Sequence, residues 1–200
     1  SHVNCGSNIV GDWSQFSISA WVKSSEWDAT GNAVASQFVH GSKLGAFRLR
    51  IFELQSIRGI WIELTNGTDE AFARYTFTTL PPTDTWFHVA ATYDGSTIKI
   101  FCNGHAGETT GLFTGTLGNA VQDFEIGGYS STTNWNGRID EVAIFNIGLS
   151  DTNIASIYNE ITYTDKNSQL TADIMEIDLI TKNSKIFMDN KNEKIKILIK

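Results

Sequence analysis

Residues 86–104 read WFHVAATYDGSTIKIFCNG, and hydrophobicity along them alternates with a period of two. Phe87, Val89, Ala91 and Tyr93 fall on one side, and Trp86, His88, Ala90 and Thr92 on the other. Asp94-Gly95 interrupts, Ile98, Ile100 and Cys102 resume the pattern, and Asn103-Gly104 interrupts again. Period-two alternation broken by Asp-Gly and Asn-Gly predicts short antiparallel strands joined by tight turns. The same pattern recurs at FSISAWVKS (16–24), AFRLRIFEL (46–54), RGIWIELTNGT (58–68), ARYTFTTL (73–80), DFEIGGYS (123–130) and GRIDEVAIFN (137–146). Pro81-Pro82 stops the fourth of these runs, because proline cannot donate to a strand ladder. SHVNCGS at the start is also strand-like, and EWDATGNA after the first long run reads as a loop.

One helix is predicted, at 150–159 within LSDTNIASIYNE. Ser150 is its N-cap and Asp151 lies in the first turn, where the helix dipole favours a carboxylate. Leu149 and Ile154 form a hydrophobic staple, and Ile154, Ile157 and Tyr158 share one face. A helix this short needs a surface to pack on. Many short strands with this spacing predict an all-β, two-sheet antiparallel jelly-roll sandwich carrying that helix.

Composition changes near residue 160. All 17 Gly, both Pro and all six Trp precede it. The net charge of −7 divides into −8 before the break and +1 after it. Two units follow, a sandwich at 1–160 and a strand-patterned tail at 161–200, where Met175, Ile177 and Leu179 alternate with Glu176 and Asp178. The absence of a basic patch argues against a nucleic-acid partner. No apolar run of about 18 residues exists, so the chain is not expected to span a membrane. Cys5 and Cys102 fit no zinc spacing and are read as two buried free thiols rather than a disulfide.

The order FSISAWVK, then WFHVAATYDGSTIKIFCNG, then IGGY, WNGRIDEVAIFN and LSDTNIASIYNE resembles the laminin G-like jelly roll of the concanavalin A-like superfamily over about residues 2–160. The resemblance implies an extracellular, cell-surface or periplasmic setting and a non-enzymatic module that recognises carbohydrate or glycoprotein. It also implies that a first strand preceding SHVNCGS is missing, as in a fragment. The tail resembles the β repeats of lipopolysaccharide-transport proteins. The rival readings are a structural or adhesive domain without a small ligand, and a glycoside hydrolase.

The hydrolase reading is disfavoured. Retaining glucanases of the superfamily carry E-x-D-x-x-E or E-x-D-x-E, whose carboxylates must stand about 5–5.5 Å apart. EIDLIT (176–181) supplies Glu176 and Asp178 but no second glutamate. His88 reads as scaffold, because Asp94, past the end of its strand, is explained by the turn.

For binding, loops at the ends of a sandwich are the usual place. Trp21, Trp61, Trp86 and Trp135 sit in or beside strands and read as core or edge. Trp27 lies in a polar loop with Asp28 and Asn32. Asn66 and Asp69 in one loop, and Asn134 in another, complete the expected ligand-binding set. Asn66-Gly67-Thr68 also fits a glycosylation sequon. Asp140 interrupts the alternation of its strand. It is read either as a ligand of a structural Ca²⁺, as the resemblance implies, or as a cap for loop N–H groups.

Overall fold

The computed structural model describes residues 2–7, 9–27, 33–38, 45–54, 57–107, 111–118, 122–129 and 133–161. The tail, including Glu176 and Asp178, lies outside the described residues. Two six-stranded sheets dominate. Sheet A runs β1 (Val3–Ser7), β11 (Asp123–Ile126), β3 (Ala33–Phe38), β4 (Gly45–Leu54), β5 (Ile57–Thr65) and β6 (Glu70–Thr76). Sheet B runs β10 (Gly111–Leu112), β8 (Thr97–Cys102), β7 (Trp86–Tyr93), β2 (Phe16–Ser24) and β14 (Gly137–Phe145), with β9 (His105–Ala106) paired to β8. A small hairpin, β12 (Gly128–Tyr129) and β13 (Thr133–Asn134), follows sheet A. All the pairings are antiparallel, and the helix α1 spans Asp151–Ile161.

The alternation selects the inner faces. Phe16, Ile18, Ala20 and Val22 of β2 face Phe47, Leu49, Ile60, Ile62 and Leu64 of sheet A in one core, with Phe87, Val89, Ala91 and Tyr93 of β7. The Phe16 and Phe47 rings lie 4.8 Å apart across the sandwich. At its C-terminal end, β8 leaves through Asn103 and Gly104, both with positive φ (49° and 75°), as a tight hairpin turn demands. Asp94 closes the other turn by accepting from the Ser96 and Thr97 amides at 2.9 and 2.8 Å. Those backbone hydrogen bonds hold its carboxyl below the usual range.

The sequence pattern passes over one strand longer than two residues. β3, AVASQF, has no period of two, because irregular register with β4 leaves Ala33, Val34 and Ala35 all buried. Gln37 is buried as well, and its Oε1 accepts the Val10 amide at 2.8 Å. Polar residues used in this way hide a strand from a hydrophobicity pattern. The cysteine expectation needs one correction. Both thiols are free, but Cys5 is exposed on β1 and only Cys102 is buried. Burial pushes the Cys102 thiol up to about 12, so it is inert.

Helix α1 covers the outer face of sheet B. Its N-cap is Ser150, whose Oγ accepts the Asn153 amide at 3.2 Å, and Asn153 Oδ1 in turn accepts from the Ser150 amide. Ile154 and Ile157 pack on Ala90 and Phe101, with Leu149 beside them. Lys99 of β8 pairs with Asp151 at 2.8 Å. Ser17 Oγ donates to the Ile147 carbonyl and accepts the Leu149 amide, which fixes the approach to the helix. Ile154 is fully buried, so Ile154→Ala removes the main anchor. It should cost about 2–5 kcal/mol, read as a lowered denaturation midpoint, without disturbing the inner core.

Candidate functional site

Three loops supply the predicted ligand set, and the sandwich separates one of them from the other two. The Asn66–Asp69 turn joins the end of β5 to the start of β6. Trp27 lies just past the end of β2, beside the start of β7, at the opposite end of the sandwich. Asn134, in β13 just before β14, belongs to the Trp27 end. Asp28 and Asn32 lie outside the described residues.

Two of these side chains, Trp27 and Asn66, have structural work. Trp27 Nε1 donates to the Pro81 carbonyl at 2.8 Å, and its ring lies 5.7 Å from Phe87 and 5.4 Å from Phe77. It is a half-buried seal on the core rather than a ring standing in a polar loop. Asn66 Oδ1 accepts the Thr68 and Asp69 amides at 2.9 and 2.7 Å, as an Asx turn does. Asn134 Oδ1 is buried and has no hydrogen-bond partner among the described residues.

Asp140 is accounted for by its strand. β14 pairs with β2 up to Asp140↔Trp21, shifts register, and resumes at Ala143↔Ser19. Glu141, at φ 51°, is the bulged residue, and Asp140 Oδ1 accepts its amide at 2.9 Å. This is the capping role. Calcium needs six to eight oxygens. No group of three or more His, Cys, Asp or Glu able to hold a metal occurs among the described residues.

His88 is enclosed. It stands in a cross-strand row, Asp140–Trp21–His88–Asn103, on the outer face of sheet B. Its ring lies 5.6 Å from Trp21 and 6.0 Å from Tyr158 of α1, and Tyr158 stacks on Trp21 at 5.8 Å. Gly104 makes room for Tyr158: a Cβ there would come within 3.0 Å of the ring. His88 is 0% exposed, and neither ring nitrogen has a hydrogen-bond partner among the described residues. Burial lowers its pKa to about 4. A neutral, enclosed imidazole with no acid or nucleophile bonded to it is scaffold.

The grouping that sequence reasoning missed is on the outer face of sheet A. Registers Arg50↔Trp61 and Trp61↔Arg74 place three residues in one row across β4, β5 and β6. The Arg50 guanidinium lies over the Trp61 ring at 4.6 Å, and that of Arg74 at 4.5 Å. They come from the strands on either side of Trp61. Phe72, in the next row, is 38% exposed, 4.8 Å from Trp61 and 4.5 Å from the Arg74 guanidinium. Arg48 pairs with Glu63 in that same row and lies 4.5 Å over Phe38. Each cation–π contact is worth about 0.5–2 kcal/mol and holds a long side chain in place. The signal was present in the sequence: Arg48 and Arg50 alternate against Leu49 and Ile51, and Trp61 against Ile60 and Ile62.

The family model described as the concanavalin A-like lectin/glucanases superfamily matches residues 1–155. The chain belongs to this superfamily. Solved structures agree on its fold. Domain 4 of AbnA, a GH43 extracellular arabinanase from Geobacillus stearothermophilus, in complex with arabinotriose, is 18% identical with a TM-score of 0.59. That match covers 78% of this chain and 72% of that one. The SAP-like pentraxin from Limulus polyphemus is 12% identical with a TM-score of 0.55, covering 78% and 75%. The binding domain of botulinum neurotoxin serotype G is 16% identical with a TM-score of 0.59, covering 78% of this chain and 39% of that one. No curated protein matches the chain.

The enclosed histidine of this superfamily member gives a pH test. Its folded pKa lies below the ordinary 6.5, so between pH 6.5 and 4 the unfolded chain binds a proton that the folded chain refuses. Stability therefore falls as pH falls through that window and levels off below about 4. The share due to His88 is of order 3 kcal/mol. Urea denaturation at pH 7 and pH 4.5 should show a smaller difference in His88→Phe than in the parent protein.

Proposed function

We propose that the sandwich is a non-enzymatic recognition module that binds glycan, free or carried on a glycoprotein, at the cell surface or outside the cell. The observation that carries this reading is the Arg50–Trp61–Arg74 row with Phe72 exposed beside it. The chemistry suits a saccharide. The apolar C–H face of a pyranose lies on the Phe72 ring, and guanidinium N–H groups donate to ring hydroxyls. Donors held over an aromatic ring need little further ordering when a ligand arrives.

The superfamily membership and the arabinotriose carried by one structural neighbour support the same reading. An adhesive domain without a small ligand is the alternative, and it predicts that no oligosaccharide is retained. Hydrolysis has less behind it: His88 is enclosed, and Asp94 is taken up by its turn.

A glycan array probed with the parent protein and with Phe72→Ala and Trp61→Ala tests the proposal, with circular dichroism to confirm folding. Both variants should bind at least about tenfold more weakly, the loss of roughly 1.4 kcal/mol of contact. If they bind like the parent while Asn66→Ala or Asp69→Ala loses binding, the end loop is the site and the sheet face is not.

A further inference from the structure

Independently of what the sandwich binds, we infer that Asn66 is a site of spontaneous covalent modification: its side-chain amide is lost through a cyclic imide with Gly67, while the fold protects the two other Asn-Gly pairs. Asn66-Gly67, Asn103-Gly104 and Asn136-Gly137 share the dipeptide that favours this chemistry, because glycine puts no side chain in the way of attack. In the first step the Gly67 nitrogen bonds to Asn66 Cγ and the Cγ–Nδ2 bond breaks. Ammonia leaves with the proton that the Gly67 amide gives up. Water then opens the imide at one of its two carbonyls, which leaves aspartate or iso-aspartate at this position. No electron is transferred, and water is the only co-reactant.

The three pairs differ in what surrounds Oδ1 and the glycine. Negative charge develops on Oδ1 as the nitrogen adds to Cγ. At Asn66 that oxygen already accepts the Thr68 and Asp69 amides at 2.9 and 2.7 Å. Two backbone donors on one carbonyl oxygen stabilise an oxyanion, and in an enzyme a single such donor is worth about 10²–10³ in rate. The gain is smaller in an exposed turn, where water weakens each interaction. One restraint opposes it. The Gly67 amide donates to Thr65 Oγ1 at 3.1 Å, and a neutral hydrogen bond of that kind retards its release by up to about tenfold. Two oxyanion donors outweigh one such bond. Nothing lies within 4 Å of the place a Gly67 Cβ would occupy, so the ring closes without displacing a neighbour.

Asn103 is pinned to β7 on both sides: its amide donates to the His88 carbonyl at 2.9 Å, and its Oδ1 accepts only the His88 amide, at 2.8 Å. The Tyr158 ring fills the space beside Gly104. Asn136 is tied through Nδ2 to the Glu26 carboxylate at 2.7 Å and through its carbonyl to the Ser25 amide at 2.9 Å. The Lys23 carbonyl occupies the space beside Gly137. Conversion at Asn66 adds a negative charge next to Asp69 and Glu70, in an exposed loop. An aspartate there still accepts the Thr68 and Asp69 amides, whereas iso-aspartate lengthens the backbone of the turn by one carbon.

Peptide mass mapping of the folded protein at mildly alkaline pH, beside the same protein unfolded in urea, tests this. In urea the three pairs should convert at similar rates. In the folded protein Asn66 should convert at least about tenfold faster than Asn103 or Asn136. Its rate should rise with pH, since the attacking nitrogen is the deprotonated one. Conversion of Asn103 or Asn136 as fast as Asn66 in the folded protein overturns the inference. So does an Asn66 that stays intact when folded while the urea sample converts.

Discussion

Burial of the centre of sheet B on both of its faces is the constraint on which the rest of this structure depends. In an ordinary sandwich each sheet gives one face to the core and one to water. Here β7 is buried along nearly its whole length, because sheet A covers Phe87, Val89, Ala91 and Tyr93 while α1 covers His88 and Ala90. The helix contributes Ile154, Ile157 and Tyr158 to that second interface, and the Asn103-Gly104 turn provides the space for Tyr158. A histidine on the outward side of a strand is thereby removed from water. Its low pKa follows from enclosure rather than from a partner charge.

The two sheets therefore differ in what they present. The outer face of sheet B is covered by the helix around His88, Ala90 and Phe101, whereas β4, β5 and β6 turn part-exposed arginines and aromatics outward. On that face the cation–π contacts do two things. They satisfy long side chains that would otherwise cost conformational entropy to order, and they set N–H donors at defined positions.

Most of the fold was legible because a half-buried strand writes its burial into its sequence. The runs at 16–24, 46–54, 86–102 and 137–146 all became strands, and Ser150, Leu149 and Ile154 marked the helix and its docking face. β3 was illegible because irregular pairing buried three consecutive small residues. The site was less legible for a related reason. Whether a tryptophan seals a core or faces out depends on contacts distant in the chain. Trp27 looked exposed from its polar neighbours, but Phe77, Pro81 and Phe87 draw it inward. Trp61 looked structural from its place in a strand, yet its parity put it outside with Arg50 and Arg74. Asp140 was read two ways, and the broken alternation that drew notice to it is the bulge it caps.

That bulge has a consequence for how copies of this chain meet. β14 ends the hydrogen-bonded path of sheet B among the described residues, so its outward N–H and C=O groups form a template on which a foreign strand could add. The irregularity at Asp140–Glu141 twists the strand and breaks the repeat of those groups halfway along it, and a carboxylate stands at the break. A second chain sliding alongside would find two short stubs out of step rather than one continuous rail. Self-assembly through this margin is discouraged by backbone geometry as well as by charge.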